Sequence, residues 1–167
     1  MNDETPLFRQ IGLEFLFLRR RATLELNARL APLNASAAMY NLLFRLANDP
    51  DAPQHELASD AGLDPGAVSR LVAKLGREGV VETRRDPDDR RVRRVRLTTK
   101  GRRLERSLAP VVDEAMSRMS EGLSDLEQRT LLALLRKASA AIPRLSEAAE
   151  ETARRSLPGR RPGGDES

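Results

Sequence analysis

The stretch TRRDPDDRRVRRVRLTTKG, residues Thr83 to Gly101, combines many arginines with a short acidic turn. The tetrapeptide Asp-Pro-Asp-Asp at residues 86–89 is typical of a turn, because proline and aspartate favour turn conformations. After this turn Val95 and Leu97 alternate with arginines, which is the period of a β-strand with one buried face. The stretch therefore predicts a two-stranded hairpin with a charged tip.

Two helices are predicted directly before the hairpin. The first covers Gln54 to Ala61 and stops at Gly62, and the second begins at Asp64 and Pro65 and ends near Gly79. Aspartate caps the free N–H groups of a first helical turn, and proline fits the position that follows the cap. Two helices joined by a short glycine-containing turn are typical of a helix-turn-helix, and a hairpin after the second helix is typical of a wing.

The outward face of the second helix carries small and basic side chains. Small residues at its start allow its backbone to approach DNA, and basic residues farther along can reach base edges or phosphates. The candidate DNA-binding residues of this helix are Gly66, Ala67, Ser69, Arg70 and Lys74. The arginines of the hairpin suit the narrow, electronegative minor groove. The candidates there are Arg84, Asp89, Arg90, Arg91 and Arg93.

Particular roles follow for some of these candidates. Arg70 lies about one turn inside its helix, where we expect it to read a base, whereas Lys74 is expected to hold a phosphate. Asp89 lies two residues before Arg91, and we expect its carboxylate to fix the Arg91 guanidinium by a charge-assisted hydrogen bond. The alternative interpretation is a solvated polar turn in which the aspartates serve only the bend.

Long helices are predicted on both sides of this region. The first runs from Pro6 to Leu30 with apolar residues at steps of three and four, and a second apolar stripe lies on another face. Two stripes indicate burial on two sides, either inside one domain or against a second chain. Asn34 is expected to cap the next helix, Thr98 or Thr99 a later long helix, and Ser124 the last one through a capping box.

The segment LASDAGLDPGAVSRLVAKLGREGVVETRRDPDDRRVRRVRLTTKG resembles the winged helix-turn-helix of MarR-family (multiple antibiotic resistance regulator) transcription factors. The wing signature of that family is Asp-x-Arg followed by an apolar strand that ends Leu-Thr-x-x-Gly. It is matched by residues 89–91 and by residues 97–101. The resemblance covers about residues 8–142, and it implies a mainly α fold with a small β-wing.

The resemblance also implies an obligate homodimer whose recognition helices enter successive major grooves of a pseudo-palindromic operator. The family's orienting Asp and minor-groove Arg correspond to Asp89 and Arg91. The expected organisation comprises a dimerisation helix at 6–32, a DNA-binding lobe at 34–98, dimerisation helices at 99–145 and a disordered basic tail at 154–167. A repressor released by a small organic effector is the expected function.

An effector is expected to bind between the dimerisation helices and the DNA-binding lobe. The candidate lining residues are Phe15, Arg19, Tyr40, Phe44 and His55. For each of them, ordinary packing or solvent exposure is the alternative.

Composition excludes several other classes of function. The chain has no Cys and one His, so a disulfide, a cysteine zinc site and a multi-histidine metal site are excluded, and no cofactor is expected. No apolar run approaches the roughly 20 residues of a membrane span, and the N-terminus does not resemble a secretory signal. A cytoplasmic protein is therefore expected. No nucleophile elbow, P-loop or dinucleotide motif is present, so an enzyme is not expected.

Two binding functions remain as alternatives. Gly76 to Gly79, GREG, resembles the GxxG loop of RNA-binding KH domains, although a strand and not a second helix follows it. A winged helix that binds a protein partner without recognising an operator is the other alternative.

Overall fold

The computed structural model describes residues 5–61 and 64–141, and for residues 58–61 it describes the backbone alone. The helices are α1 (Leu7–Leu30), α2 (Ala37–Asn48), α3 (Gln54–Ala61), α4 (Pro65–Arg77), α5 (Thr99–Ser120) and α6 (Asp125–Ala140). The strands are β1 (Ala52–Pro53), β2 (Val81–Arg85) and β3 (Arg93–Leu97). The prediction of a mainly α fold with a small β-wing is confirmed. The expected basic tail at 154–167 lies outside the described residues.

The chain divides into two compact units. The first ends at Glu121 and contains α1 to α5 with all three described strands, and the second begins at Gly122 and contains α6. The first unit is held by a continuous apolar core to which α2, α4, α5 and the sheet all contribute. Its most deeply buried side chains include Leu30, Leu43, Leu75, Val95 and Leu108.

The sheet is antiparallel with the order β1-β3-β2. The predicted hairpin of β2 and β3 is confirmed, with Val81 opposite Leu97 and Arg85 opposite Arg93. The sheet also contains a third strand that was not predicted, in which Ala52 pairs with Val95. A strand of two residues is too short to have a visible alternation of apolar side chains, so the sequence pattern does not reveal it.

The connection between α1 and α2 differs from the expectation that Asn34 caps α2. Residues Ala31–Leu33 form a 3₁₀ turn, and Asn34 ends that turn in the left-handed region with φ 54°. Ser36 is the N-cap, and its side chain accepts a hydrogen bond from the Met39 N–H at 3.2 Å. The additional turn shifts the start of the helix by two residues.

The joint between the wing and α5 is tightly packed. Thr98 caps α5 as predicted, and its hydroxyl accepts from the Gly101 N–H at 3.1 Å. The same hydroxyl donates to the Gly79 carbonyl at 2.7 Å, so the cap also joins α5 to the end of the turn that follows α4. A Cβ atom on Gly101 would lie 2.1 Å from the Val80 carbonyl oxygen, so this position accepts only glycine without rearrangement.

The apolar stripes of α1 are covered only at its C-terminal end. Leu26 and Leu30 are buried in the core of the first unit. The large apolar side chains before them are exposed: Leu7, Phe8, Ile11, Leu13, Phe15, Leu16, Phe17, Leu18 and Leu24. Burial within the described chain therefore does not account for the two stripes.

Helix α6 forms the described part of the second unit. The predicted capping box is confirmed, because the Glu127 N–H donates to the Ser124 hydroxyl while the Glu127 carboxylate accepts from the Ser124 N–H at 2.8 Å. Its large apolar side chains are also exposed: Leu126, Leu131, Leu132, Leu134 and Leu135.

The glycine contacts lead to a prediction about stability. We expect Gly101→Ala to lower the free energy of unfolding by about 1–3 kcal/mol, because the new methyl group would clash with the Val80 backbone. Gly76→Ala is the matched control, since the nearest atom to its Cβ position is 4.0 Å away. The control is expected to raise the free energy by up to about 1 kcal/mol through helix propensity. Urea unfolding of both variants measures these changes in the free energy of unfolding. Equal changes in the two variants would contradict the close packing at Gly101.

Candidate nucleic-acid interface

Helix α4 separates its side chains into a buried face and an exposed face. Asp64 caps it as predicted and accepts from the Ala67 N–H at 2.8 Å. Val68, Val72 and Leu75 are buried in the core of the first unit. The exposed side chains are Ser69, Arg70, Ala73, Lys74 and Arg77, while Gly66 and Ala67 are partly buried. The face that was predicted to contact DNA is thus open to solvent and predominantly basic.

Arg70 lies back toward the start of its own helix. Its Nη2 atom is 3.8 Å from the Asp64 Oδ2 atom, and both side chains are largely exposed. An exposed pair at this distance contributes little stability, so it leaves Arg70 available to another anion. Gly66 leaves room for this arrangement, because a Cβ atom there would lie 3.3 Å from the Arg70 Nη1 atom.

A buried carboxylate organises the loop of the wing. Asp86 is only 6% exposed, and its Oδ1 atom accepts from the N–H groups of Asp88 at 2.8 Å and Asp89 at 3.1 Å. Its Oδ2 atom accepts from the Nε atom of Arg94 in an ion pair. The carboxylate therefore joins the turn to the strand that follows it. Neither Asp86 nor Arg94 was among the predicted site residues.

These contacts favour the ionised form of Asp86. The hydrogen bond from Arg94, together with the smaller contributions of the Asp89 and Asp88 N–H groups, lowers the pKa of Asp86 to about 2, while burial opposes the shift. The carboxylate is therefore charged across the physiological range.

Asp51 forms a second carboxylate contact with the same hairpin. It adopts a left-handed backbone with φ 72°, and its carboxylate accepts two hydrogen bonds from the guanidinium of Arg84. This contact lowers the pKa of Asp51. The Asp51 carbonyl accepts from Arg94 Nη1 at 3.1 Å. Arg84, which sequence proposed for DNA contact, thus holds a carboxylate of its own chain.

Asp89 contacts Arg91 through the backbone. Its Oδ1 atom accepts from the Arg91 N–H at 2.9 Å, which stabilises the turn at the tip. The expected hydrogen bond to the Arg91 guanidinium is not formed in the part of the chain that the structure describes, so that expectation was wrong. The physical reason is the spacing, since an aspartate reaches the N–H two residues ahead more readily than a long side chain that extends into solvent. Arg90, Arg91 and Arg93 are exposed.

The five candidate effector residues lie on three helices. Tyr40 is buried on α2, and its ring stacks on the exposed ring of Phe44 with centroids 6.0 Å apart. Burial raises the pKa of Tyr40, and the negative charges of Glu105 and Asp113 add to this shift. Phe15 and Arg19 are exposed on α1, and His55 is exposed on α3.

A cleft of about 370 Å³ opens elsewhere in the first unit. Its lining residues are Leu46, Ala47, Pro50, Asp51, Arg96, Leu97, Arg102, Glu105 and Arg106. None of the five candidate effector residues belongs to this lining.

Residues 5–61 and 64–141 contain no group of three His, Cys, Asp or Glu side chains arranged to hold a metal ion. No helix among them has both the length and the apolar character needed to cross a bilayer.

Comparison with protein families places the winged region in a known group. Residues 36–92 match the sequence model of the MarR family. This match begins at the N-cap of α2 and ends just before β3, so it includes both helices of the helix-turn-helix and most of the wing.

Individual relatives agree with this match. The uncharacterized HTH-type transcriptional regulator YdgJ of Bacillus subtilis is 32% identical over 100 residues, which are 60% of this chain and 61% of YdgJ. This chain thus spans less than two thirds of YdgJ. A mutant MarR from E. coli complexed with operator DNA is 28% identical, with a TM-score of 0.67 over 80% of this chain and 99% of that one. PcaV from Streptomyces coelicolor, in complex with its natural ligand, is 26% identical, with a TM-score of 0.68 over 84% and 99%.

The depressed pKa of Asp86 leads to a prediction about acid stability. A carboxylate whose folded pKa is lowered stabilises the fold above its unfolded pKa of about 4. That stability is lost as the pH falls through the folded value of about 2. We therefore expect the wild type to be more stable than Asp86→Asn at neutral pH, and this difference to shrink between about pH 4 and about pH 2.

Thermal unfolding of both proteins across this range is the measurement. Asp88→Asn is the control, because the Asp88 side chain is exposed and only its backbone N–H takes part in the contacts described for Asp86. It should follow the wild type at every pH. A constant difference between wild type and Asp86→Asn would contradict the assignment.

Proposed function

We propose that this chain is a MarR-family transcriptional regulator that binds double-stranded DNA sequence-specifically, because its winged region matches the model of that family and its relatives are regulators of this kind. It acts as a homodimer on a pseudo-palindromic operator. The observation that carries the proposal is the two-sided character of α4. One face of this helix is buried in the core, and the other presents Arg70, Lys74 and Arg77 to solvent beside an arginine-rich wing.

Recognition of sequence is assigned to α4. Gly66, Ala67 and Ser69 lie near its start, where small side chains let the backbone approach DNA. Arg70 reads a base edge in the major groove, and an arginine there can pair with guanine through two hydrogen bonds. Lys74 lies one turn farther along and binds a phosphate, which positions the protein without reading sequence.

The tip of the wing is assigned to the minor groove. Arg90 and Arg91 are exposed in the turn, where the field of a narrow groove attracts guanidinium groups. Asp89 supports them by holding the Arg91 backbone. Arg84 was expected to contact DNA, but it is not assigned to the minor groove, because its guanidinium donates to the Asp51 carboxylate.

The homodimer is proposed from exposed apolar surface. In α1, Leu7 and Phe8 are more than 70% exposed, and Ile11 and Leu18 are nearly half exposed. Separately, α6 exposes 74% of Leu126. Exposed large apolar side chains in such number on one helix mark a protein interface, and a second copy of the chain is the partner that the family suggests.

Regulation by a small organic effector is part of the same proposal. The PcaV structure contains a natural ligand, and MarR of E. coli was solved with operator DNA. By analogy, this chain represses its target until an effector lowers its affinity for DNA. The stacked rings of Tyr40 and Phe44 form the aromatic surface on which we place the effector, with Phe15, Arg19 and His55 as further candidates. No catalytic activity is proposed, since the relatives are named as regulators.

The oligomeric state can be tested directly. Light scattering at micromolar concentration should give twice the chain mass of 18.6 kDa. Ile11→Glu should shift the protein toward the monomer, because it places a charge in the exposed apolar stripe of α1. Arg9→Glu introduces the same side chain on the same helix without removing an apolar group, and it should stay dimeric. A wild type at the monomer mass would overturn the proposed dimer.

The recognition helix can be tested by selecting preferred sites from random DNA duplexes at fixed salt. Arg70→Ala should flatten the preference at one position of each half-site, with a loss of about 1–3 kcal/mol of discrimination. Lys74→Ala should weaken all sequences equally and reduce the salt slope by about 1 per lost phosphate contact, or about 2 per dimer. An unchanged preference in Arg70→Ala would make Arg70 a backbone contact. Competition with RNA in the same assay distinguishes binding of duplex DNA from the RNA-binding alternative.

A further inference from the structure

The hairpin sorts its charged side chains onto two faces. Successive residues of a strand point to opposite sides of a sheet, so alternate residues of β2 and β3 share a face. The core-facing side carries the buried Val81, Val95 and Leu97, and beyond them Arg85 and Arg93. The outer side carries Glu82, Arg84, Arg94 and Arg96.

Arginines on the outer face are neutralised within the chain. Arg84 pairs with the carboxylate of Asp51, and Arg94 pairs with that of Asp86. Arg96 donates to the Glu82 carboxylate across the strands at 2.7 Å. The outer face therefore has no guanidinium that a new anion can bind without displacing a carboxylate of the protein.

Arginines on the core-facing side differ in this respect. Arg85 and Arg93 are direct partners in the antiparallel register, so their Cβ atoms lie about 4.5–5.5 Å apart. Both are exposed, and neither forms an ion pair or a side-chain hydrogen bond with any residue in the described ranges 5–61 and 64–141. Like charges directly opposite each other destabilise a sheet, so this pair opposes the fold when no anion is bound.

The pair also lies on the side of the sheet where the recognition helix packs. Val68, Val72 and Leu75 of α4 share one core cluster with Val81, Val95 and Leu97 of the sheet. Arg85 and Arg93 continue this face of the sheet beyond the core, so they lie on the same side of the sheet as α4. The outer-face arginines point in the opposite direction.

We propose that Arg85 and Arg93 form a phosphate-binding pair that takes one phosphate of the DNA backbone beside the recognition helix. The inference rests on the proposed DNA-binding function and adds a site to it, since Arg85 was not among the residues expected to contact DNA. Two guanidinium groups side by side offer a charged, multidentate donor set that matches phosphate oxygens. A bound phosphate also removes the repulsion between the two arginines.

The test uses the full chain and a mixed-sequence DNA duplex, with the dissociation constant measured by fluorescence anisotropy over a series of salt concentrations. In Arg85→Gln/Arg93→Gln the salt slope should fall by about 0.9 per protomer, the value for one phosphate contact. Arg96→Gln is the control for charge on the hairpin, because it removes a positive charge from the outer face and leaves Arg85 and Arg93 in place. It should keep the wild-type slope. The double lysine variant, Arg85→Lys/Arg93→Lys, should also keep it, because both charges remain.

Thermal unfolding separates loss of contact from loss of structure. The double glutamine variant should melt at or above the wild-type temperature, because it removes a like-charge pair that has no counterion. A salt slope equal to that of Arg96→Gln would overturn the pair as a phosphate site while leaving the proposed function intact. The same slope loss in the lysine variant would also overturn it, because charge would then not be the cause. A wild type with no salt-dependent affinity for duplex DNA would overturn the proposed function and this inference together.

Discussion

Repulsion between opposed arginines is the constraint around which the wing is built. The register of the hairpin places Arg84 opposite Arg94 and Arg85 opposite Arg93, at neighbouring positions of the same ladder. Only the first pair forms ion pairs with carboxylates in the described part of the chain: Asp51 binds Arg84, and Asp86 binds Arg94. These contacts add an opposite-charge pair to each of Arg84 and Arg94, which offsets the repulsion between the two arginines.

The same contacts connect the wing to the helix-turn-helix. Asp51 immediately precedes β1, and β1 leads without a loop into α3. Arg94 binds the Asp51 carbonyl, and Ala52 pairs with Val95 in the sheet. The strand that carries the wing is therefore hydrogen-bonded to the segment that starts the helix-turn-helix. A wing held in this way loses less conformational freedom when it binds DNA, which favours affinity.

Local sequence signals predicted the parts of the fold that depend on local chemistry. The bounds of α3, the Asp64 cap, the Thr98 cap and the capping box at Ser124 were all confirmed, because each depends on residues within one helical turn. The start of α2 was wrong, since a 3₁₀ turn preceding it has no distinct sequence signature. The exposed basic face of α4 was also predictable, because an amphipathic helix reveals both of its faces through its period.

Contacts in the wing could not be predicted in the same way, because they depend on strand register. Residues 86, 88 and 89 are all aspartates of one turn, and their sequence gives no reason to distinguish them, yet they have three different environments. Asp86 is buried against Arg94, Asp88 is exposed, and Asp89 holds the Arg91 backbone. Which aspartate faces an arginine follows from the pairing of β2 with β3, and a shift of one residue would exchange the two faces of each strand. The register thus decides which arginines are neutralised internally and which remain available to a phosphate.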